Sequence, residues 1–437
     1  MDRGAKNASQ QRFFVLWLGE WISAIGSGLT SFGLGVYVFQ KTGSASAMAL
    51  VTLFAFLPSL LFSAPAGVFA DRYDRRLLMV LGDSLSALGL LYILICMWRG
   101  GAALWQICLG VTISSVFSSL LEPSYKATIS DLLTKEDYSR ASGMIQIAYS
   151  SKYLISPILA GLLLAIADIK LLLLLDISTF IVTVITTLYV RGGIVSKKKE
   201  GYFSFWKEWG EGWHALTKKR GVVVLVFMGT LLTFFVAFIQ TLCTPMVLSF
   251  ADSKALGTME TLSALGMLVS SIGIGFLSIK KGYVRLLSLS LFLAGLAMIC
   301  FGAYQNLYWI TLSGFFFFLM LPFANTSLDF LLRTNLENEV QGRAFGLIGL
   351  ISQLGYVVAY AFLGALADHI FTPMLQEGGL LFDTIGALIG VGSGRGSAFL
   401  IILGGFFLAI FSIILYQVPS VRQLEGEERY VLKNTAK

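Results

Sequence analysis

The chain has 437 residues, of which 56% are apolar and only 13% charged, about half the charged share of an average soluble domain. That balance excludes a water-soluble globular protein and makes hydrocarbon the expected solvent. The formal charge of +7 would suggest a nucleic-acid partner, but its placement along the chain removes the need for any polyanion.

A spanning helix takes about 20 predominantly apolar residues. Twelve such blocks follow one another, at 13–39, 48–70, 77–97, 104–122, 141–166, 169–190, 221–248, 257–279, 284–303, 308–331, 344–367 and 396–418. The polar start, Met1 to Arg12, leads into an apolar run too long for a signal-peptide core, so the first block is expected to stay as a helix. With both termini cytoplasmic, 26 Lys and Arg fall inside and five outside (Lys41, Arg99, Lys170, Lys254, Arg395), with Lys152 left within a span. By the positive-inside rule this asymmetry fixes the orientation. The expected fold is therefore an all-α integral membrane protein with twelve transmembrane helices in two six-helix halves, sitting in the cell membrane. Its parts are an N-terminal half 1–190, a cytoplasmic linker 191–220, a C-terminal half 221–418 and a cytoplasmic tail 419–437. The four cysteines, Cys96, Cys108, Cys243 and Cys300, lie in apolar spans without C-x-x-C spacing and read as packing residues rather than disulfides or metal ligands.

In the first span Glu20 sits about 10 Å from the cytoplasmic end, taking ~1.5 Å per residue. Between spans 2 and 3 runs Gly67-Val68-Phe69-Ala70-Asp71-Arg72-Tyr73-Asp74-Arg75-Arg76. Gly67 would let helices approach closely, Asp71 can accept hydrogen bonds, and Arg72, Arg75 and Arg76 supply forked donors. Asp83 lies about 9 Å into span 3, near these arginines, which suggests that it steadies them. Span 5 carries Lys152, some 16 Å deep by the same rise, and span 6 carries Asp176, read as a packing partner. Charges inside spans are costly enough to be functional suspects. Glu20 and Lys152 form the expected proton-coupling pair, with a structural ion pair as the competing reading.

The stretch from Gly67 to Arg76 matches the G-x-x-x-D-R-x-x-R-[KR] signature of the major facilitator superfamily, at the family's own place. Similar stretches narrow the resemblance to its third drug:proton antiporter group, which includes macrolide efflux pumps. They include Gly19-Glu20-Trp21-Ile22-Ser23, Lys41-Thr42-Gly43-Ser44, Leu175-Asp176-Ile177-Ser178-Thr179-Phe180 and Gln341-Gly342-Arg343-Ala344-Phe345-Gly346. The resemblance implies a secondary exporter of hydrophobic or amphiphilic compounds, working by alternating access and proton antiport. It implies that Gly67, Asp71, Arg72, Arg75 and Arg76 lock the inner gate. In span 5 the drug exporters' G-x-x-x-G-P-x-x-G-G pattern is represented only by Ser156-Pro157 and Gly161, and span 4 has no buried arginine.

The linker carries Tyr202, Trp206, Trp209, Trp213 and Leu216 at helical spacing, predicting an amphipathic helix over 202–218 in the headgroup layer. Past it, the order of short matches repeats: Glu122-Pro123, Asp131-Leu132-Leu133-Thr134 and Arg140-Ala141-Ser142-Gly143 answer to Leu321-Pro322, Leu331-Leu332-Arg333-Thr334 and Arg343-Ala344-Phe345-Gly346. A duplicated six-helix unit explains that order. The second half keeps only Gly275, Lys280, Lys281 and Arg285 of the gate motif and no carboxylate where Asp71 would fall. Gln240 and Asn325, each near a proline, and Phe316 and Met320 in span 10 are candidate pocket residues. Lipid contact and interhelical hydrogen bonding are the competing readings. The Gly-rich outer stretch 368–395 reads as a lid or a filler.

No G-x-x-x-x-G-K-[ST] sequence is present to cradle nucleotide phosphates, and two isolated histidines with buried cysteines make no catalytic cluster. The expectation is a non-enzyme without cofactor, driven by the proton gradient, whose partners are a small-molecule substrate, protons and the lipid bilayer, and which acts as a monomer. Macrolide-like drugs, a siderophore or similar metabolite, and a lysophospholipid stay open as cargoes. A non-cycling, transporter-like sensor is the alternative class.

Overall fold

The computed structural model describes residues 3–134, 137–191, 205–276, 281–337 and 340–425. Twelve of its helical stretches are long and apolar enough to cross a membrane, and they coincide with the twelve blocks read from the sequence. The chain folds into two compact units, Met1–Gly201 with Asp252–Thr261, and Tyr202–Ala251 with Leu262–Lys437. The stretch Asp252–Thr261, expected in the second half, thus groups with the first unit. Of the linker, the part from Tyr202 onward groups with the second.

In the first unit the helices are α1 (Arg3–Thr42), α2 (Ala45–Arg72), α3 (Arg75–Trp98), α4 (Leu104–Ser118), α5 (Leu121–Leu132), α6 (Tyr138–Leu154), α7 (Ser156–Ile166) and α8 (Ile169–Arg191). Two spans are broken, and proline explains both. Pro123 and Pro157 lack the N–H that would continue the ladder and crowd the carbonyl four residues back. The chain therefore turns at Ser119 and Leu120 between α4 and α5, and at Ile155 between α6 and α7. Side-chain caps start the neighbouring helices: Ser44 Oγ accepts from Ala47 N at 3.1 Å and Asp74 Oδ1 from Arg76 N at 3.1 Å.

Lipid offers no hydrophobic drive for helices to associate, so close packing at small residues does the work. Along α1, Gly19, Gly26 and Gly33 recur every seven residues and face α8; a Cβ on Gly26 would stand 2.5 Å from Thr179 Oγ1, and one on Gly33 2.7 Å from Leu172 Cδ2. Trp17 and Trp21 on another face of α1 donate to Met144 O and Ser151 Oγ of α6, both at 2.7 Å. An apolar core of Leu90, Ile93, Leu94, Ile107, Leu172 and Leu173 fills the unit around these seams.

The second unit holds α9 (Phe205–Thr217), α10 (Arg220–Leu248), most of α11 (Ser253–Phe276), α12 (Tyr283–Ala303), α13 (Leu307–Asn335), α14 (Gln341–Leu366), α15 (Thr372–Met374), α16 (Ile385–Ile389) and α17 (Arg395–Gln417). One π-helical turn, Ala367–Phe371, follows α14. Gly295 of α12 and Gly405 of α17 meet backbone to backbone, and Ser288 Oγ donates to Ser412 O at 2.6 Å. The outer stretch packs on its own unit: a Cβ on Gly396 would collide with Thr372, while Leu380 and Leu388 stay exposed.

The amphipathic helix exists as α9, and one side of it packs against α14. Gly212 abuts Arg343 and Leu347, Leu216 is buried, Glu211 pairs with Arg343, and Lys218 pairs with Glu337. Trp213 is exposed. Tyr202 and the side chains of Trp206 and Trp209 lie outside the described residues.

Candidate functional site

The sharp link between α2 and α3 puts two charged groups of the signature, Arg75 and Arg76, against one turn of α5. Arg75 donates to Ala70 O (3.2 Å), Ala127 O (3.2 Å) and Asp131 Oδ1 (2.7 Å). Arg76, only 1% exposed, donates to Asp131 Oδ2 at 3.3 Å. Asp74 caps α3 with one oxygen and accepts from Arg191 Nε, at the end of α8, with the other at 3.0 Å. The carboxylate that gathers the arginines is therefore Asp131, which in the sequence stands out only as part of the internal repeat. Asp71 is 65% exposed and 3.8 Å from Arg75, and Arg72 is exposed. Gly67 has nothing within 4 Å of where its Cβ would stand, so the close helix approach expected there does not occur.

Glu20, Asp83 and Asp176 come together inside the first unit, on α1, α3 and α8. Asp83 and Asp176 are each 1% exposed. Charge on Asp83 acts on Glu20, and charge on Asp176 acts on Asp83. Glu20 Oε1 and Asp83 Oδ2 are buried without a hydrogen-bond partner. Asp176 Oδ1 accepts from Ser27 Oγ at 3.4 Å and Thr179 Oγ1 at 3.5 Å.

Two expectations need correcting. Asp83 faces Thr183 and the other carboxyls instead of steadying the arginines, which Asp131 already holds. No ion pair joins Glu20 to Lys152 among the described residues, and Lys152 acts on Asp176. The α6 backbone explains this. The Lys152 carbonyl comes within 3.0 Å of a Cβ on Gly28, which is eight residues, or about two turns, beyond Glu20 on α1.

Sequence reasoning also passes over Glu260 of α11, a carboxyl well inside a span and without an ion pair among the described residues. A plain count of acidic residues in the apolar blocks finds it.

The proposed pocket residues do not form one wall. Successive residues turn 100° around a helix, so Phe316 and Asn325, nine apart, face opposite sides of α13. Both are exposed, while Phe317 is fully buried, and Met320 is partly buried. Gln240 of α10 has a defined setting: its Oε1 accepts from Tyr360 of α14 at 2.6 Å. Tyr356 lies beside Tyr360 at 5.9 Å between ring centroids, and Gln353 Oε1 on the same helix is buried without a partner. The second unit thus holds a polar, aromatic cluster on α10 and α14. In the first unit a cavity of ≈ 590 Å³ opens beside Tyr37, Gln40, Trp98, Asp168 and Lys170.

Residues 16–360, most of the chain, match the Major Facilitator Superfamily. The chain belongs to this family of membrane transporters. Macrolide efflux protein A of Streptococcus pyogenes is 25% identical over 370 residues, covering 82% of this chain and 90% of that protein. Multidrug resistance protein 2 of Bacillus subtilis is 22% identical over 392 residues, covering 87% and 96%. The crystal structure of a bacterial homologue of the human lysosomal transporter Spinster shares the fold with a TM-score of 0.72 at 12% identity, covering 97% of this chain and 99% of that one.

In this major facilitator chain the second unit has its own substitute for the Asp74 cap. α12 begins after Gly282, whose φ of 83° suits glycine. Glu425, beyond α17, accepts from the backbone N–H of Gly282 and of Tyr283, the latter at 3.0 Å. The tail thus supplies a capping carboxylate at this helix start, while the position answering to Asp71 has none. Ser278, Ile279 and Lys280 lie outside the described residues.

Proposed function

We propose that the chain exports a hydrophobic or amphiphilic small molecule of the macrolide or multidrug class across the cell membrane by alternating access, in exchange for protons and without a bound cofactor. It works as a monomer with both termini in the cytoplasm. The observation that carries the coupling is Glu20, whose buried Oε1 has no partner within a membrane span. An unpaired charge in hydrocarbon is expensive, and intramembrane carboxyls commonly serve as proton carriers. Protonation removes that charge and turns the open oxygen into a donor. The names of the relatives support outward movement of bulky apolar cargo, and the 26 to five distribution of Lys and Arg supports the orientation.

In everted vesicles carrying the full chain, addition of a macrolide should release protons from the vesicle lumen. Glu20→Gln should cut that release at least tenfold while leaving macrolide binding within about threefold. Undiminished proton release from Glu20→Gln would remove Glu20 from the coupling step.

A further inference from the structure

Glu20 is one member of a longer polar line through the first unit. On α1, Glu20, Ser23, Ser27 and Thr30 follow at spacings of three, four and three, which keeps them on one face. On α8, Asp176, Thr179, Thr183 and Thr187 follow at three, four and four, again on one face. The glycine seam holds these two faces together, since Gly19 abuts Thr186 and Gly26 abuts both Asp176 and Thr179. α3 adds Asp83, facing Thr183. It also adds Ser86, whose Oγ lies 2.6 Å from Ser114 Oγ and 3.0 Å from Ser118 Oγ of α4.

Polar side chains this deep in hydrocarbon normally have their hydrogen bonds made. Here several do not. Besides Glu20 Oε1 and Asp83 Oδ2, Thr187 Oγ1 (residue 0% exposed) and Tyr125 Oη (4%) are buried and unpartnered. Thr187 lies one turn beyond Thr183, and Tyr125 faces Glu20. The open groups therefore lie along the line that the three carboxyls define. Among the described residues the further titratable groups facing it are Tyr149, which feels Glu20, and Lys152, which acts on Asp176.

We propose that Asp83 and Asp176 extend the Glu20 site into a proton path through the first unit, the proton entering at Asp176, where Lys152 stands as counter-charge, and passing to Asp83 and on to Glu20, nearest the cytoplasmic end. In each transfer an O–H bond of the donor carboxyl breaks as one forms on the acceptor carboxylate. One proton advances, the negative charge moves the opposite way, and no further reactant is consumed. The hydroxyls of Ser27, Thr179 and Thr183 orient the acceptors. The path rests on the proton-antiport reading above but makes a separate demand, that the three groups titrate as one system.

Two measurements on the reconstituted full chain test it. Infrared difference spectra recorded across a pH jump, with no ligand, should show that Asp83→Asn deletes one carboxyl band and shifts those lost in Glu20→Gln and Asp176→Asn. Bands that keep their position when Asp83 is replaced would overturn the path. In macrolide-driven proton release, Asp83→Asn and Asp176→Asn should each lose at least tenfold, and Asp83→Glu should recover most of it. Wild-type release from both Asn variants, with Glu20→Gln inactive, overturns the path and leaves Glu20 as the sole carrier. If the wild type releases no protons, antiport fails, while the infrared bands still decide whether the groups are coupled. Should either Asn variant fail to fold, Thr183→Val and Ser27→Ala keep every carboxyl in place and should slow release severalfold, and unchanged rates in both contradict the route.

Discussion

Asp131 accepts from Arg75 and Arg76 at once, so its removal takes a paired carboxylate away from a buried guanidinium. Breaking such a pair costs about 3–5 kcal/mol when both members are buried, and the partial exposure of Asp131 puts the expected loss near the lower end. Asp131→Asn should therefore lower thermal stability in detergent well beyond Asp71→Asn, whose exposed carboxylate stands 3.8 Å from Arg75. Equal unfolding temperatures for the two variants would reassign the arginine lock to Asp71. The signature displayed the arginines in sequence but not their partner. Asp131 lies 55 residues from Arg76, and no local periodicity tells which helix a side chain will meet. The Glu20 to Lys152 pairing failed for the same reason: depth along each helix was legible, whereas the register between α1 and α6 is set by where Gly28 lets the α6 backbone in.

At the scale of elements, α9 is tied to the second unit by charge as well as by packing. The Glu337 carboxyl is held below its usual range by the hydrogen bond and the positive charge of Lys218. A lowered carboxyl contributes stability above its unfolded value, about 4.3, and loses it as pH falls through the lower folded value. Corrected hydrogen exchange of the α9 amides should therefore be constant from neutral pH down to about 5 and quicken below about 4. In Glu337→Gln that acid step should shrink, and a full-sized step in the variant would show that Lys218 and Glu337 do not hold the helix. The spacing of Trp213 and Leu216 announced this helix; its seat on α14 depends on Gly212, whose missing side chain carries no periodic signal.

For the molecule as a whole, twelve spans and an internal duplication were legible because hydrocarbon demands long apolar runs with every backbone group bonded within its own helix. Composition alone imposes that pattern. Boundaries slipped where polar residues continue a helix past the apolar run, as in α13, which runs on to Asn335. Orientation carries its own prediction. Single cysteines placed at Arg72 and Arg285 should react with a membrane-impermeant maleimide only in everted vesicles, and those at Lys41 and Lys254 only in intact cells. The opposite pattern would invert the transporter and the direction of export with it.

The hold of Glu425 on the start of α12 has a practical side. A C-terminal affinity tag keeps that contact only when it is appended after the glutamate. Trimming the C-terminus back to Gln417, where the last span ends, would look harmless in a hydropathy plot, yet it would leave a helix elsewhere in the chain with an uncapped first turn.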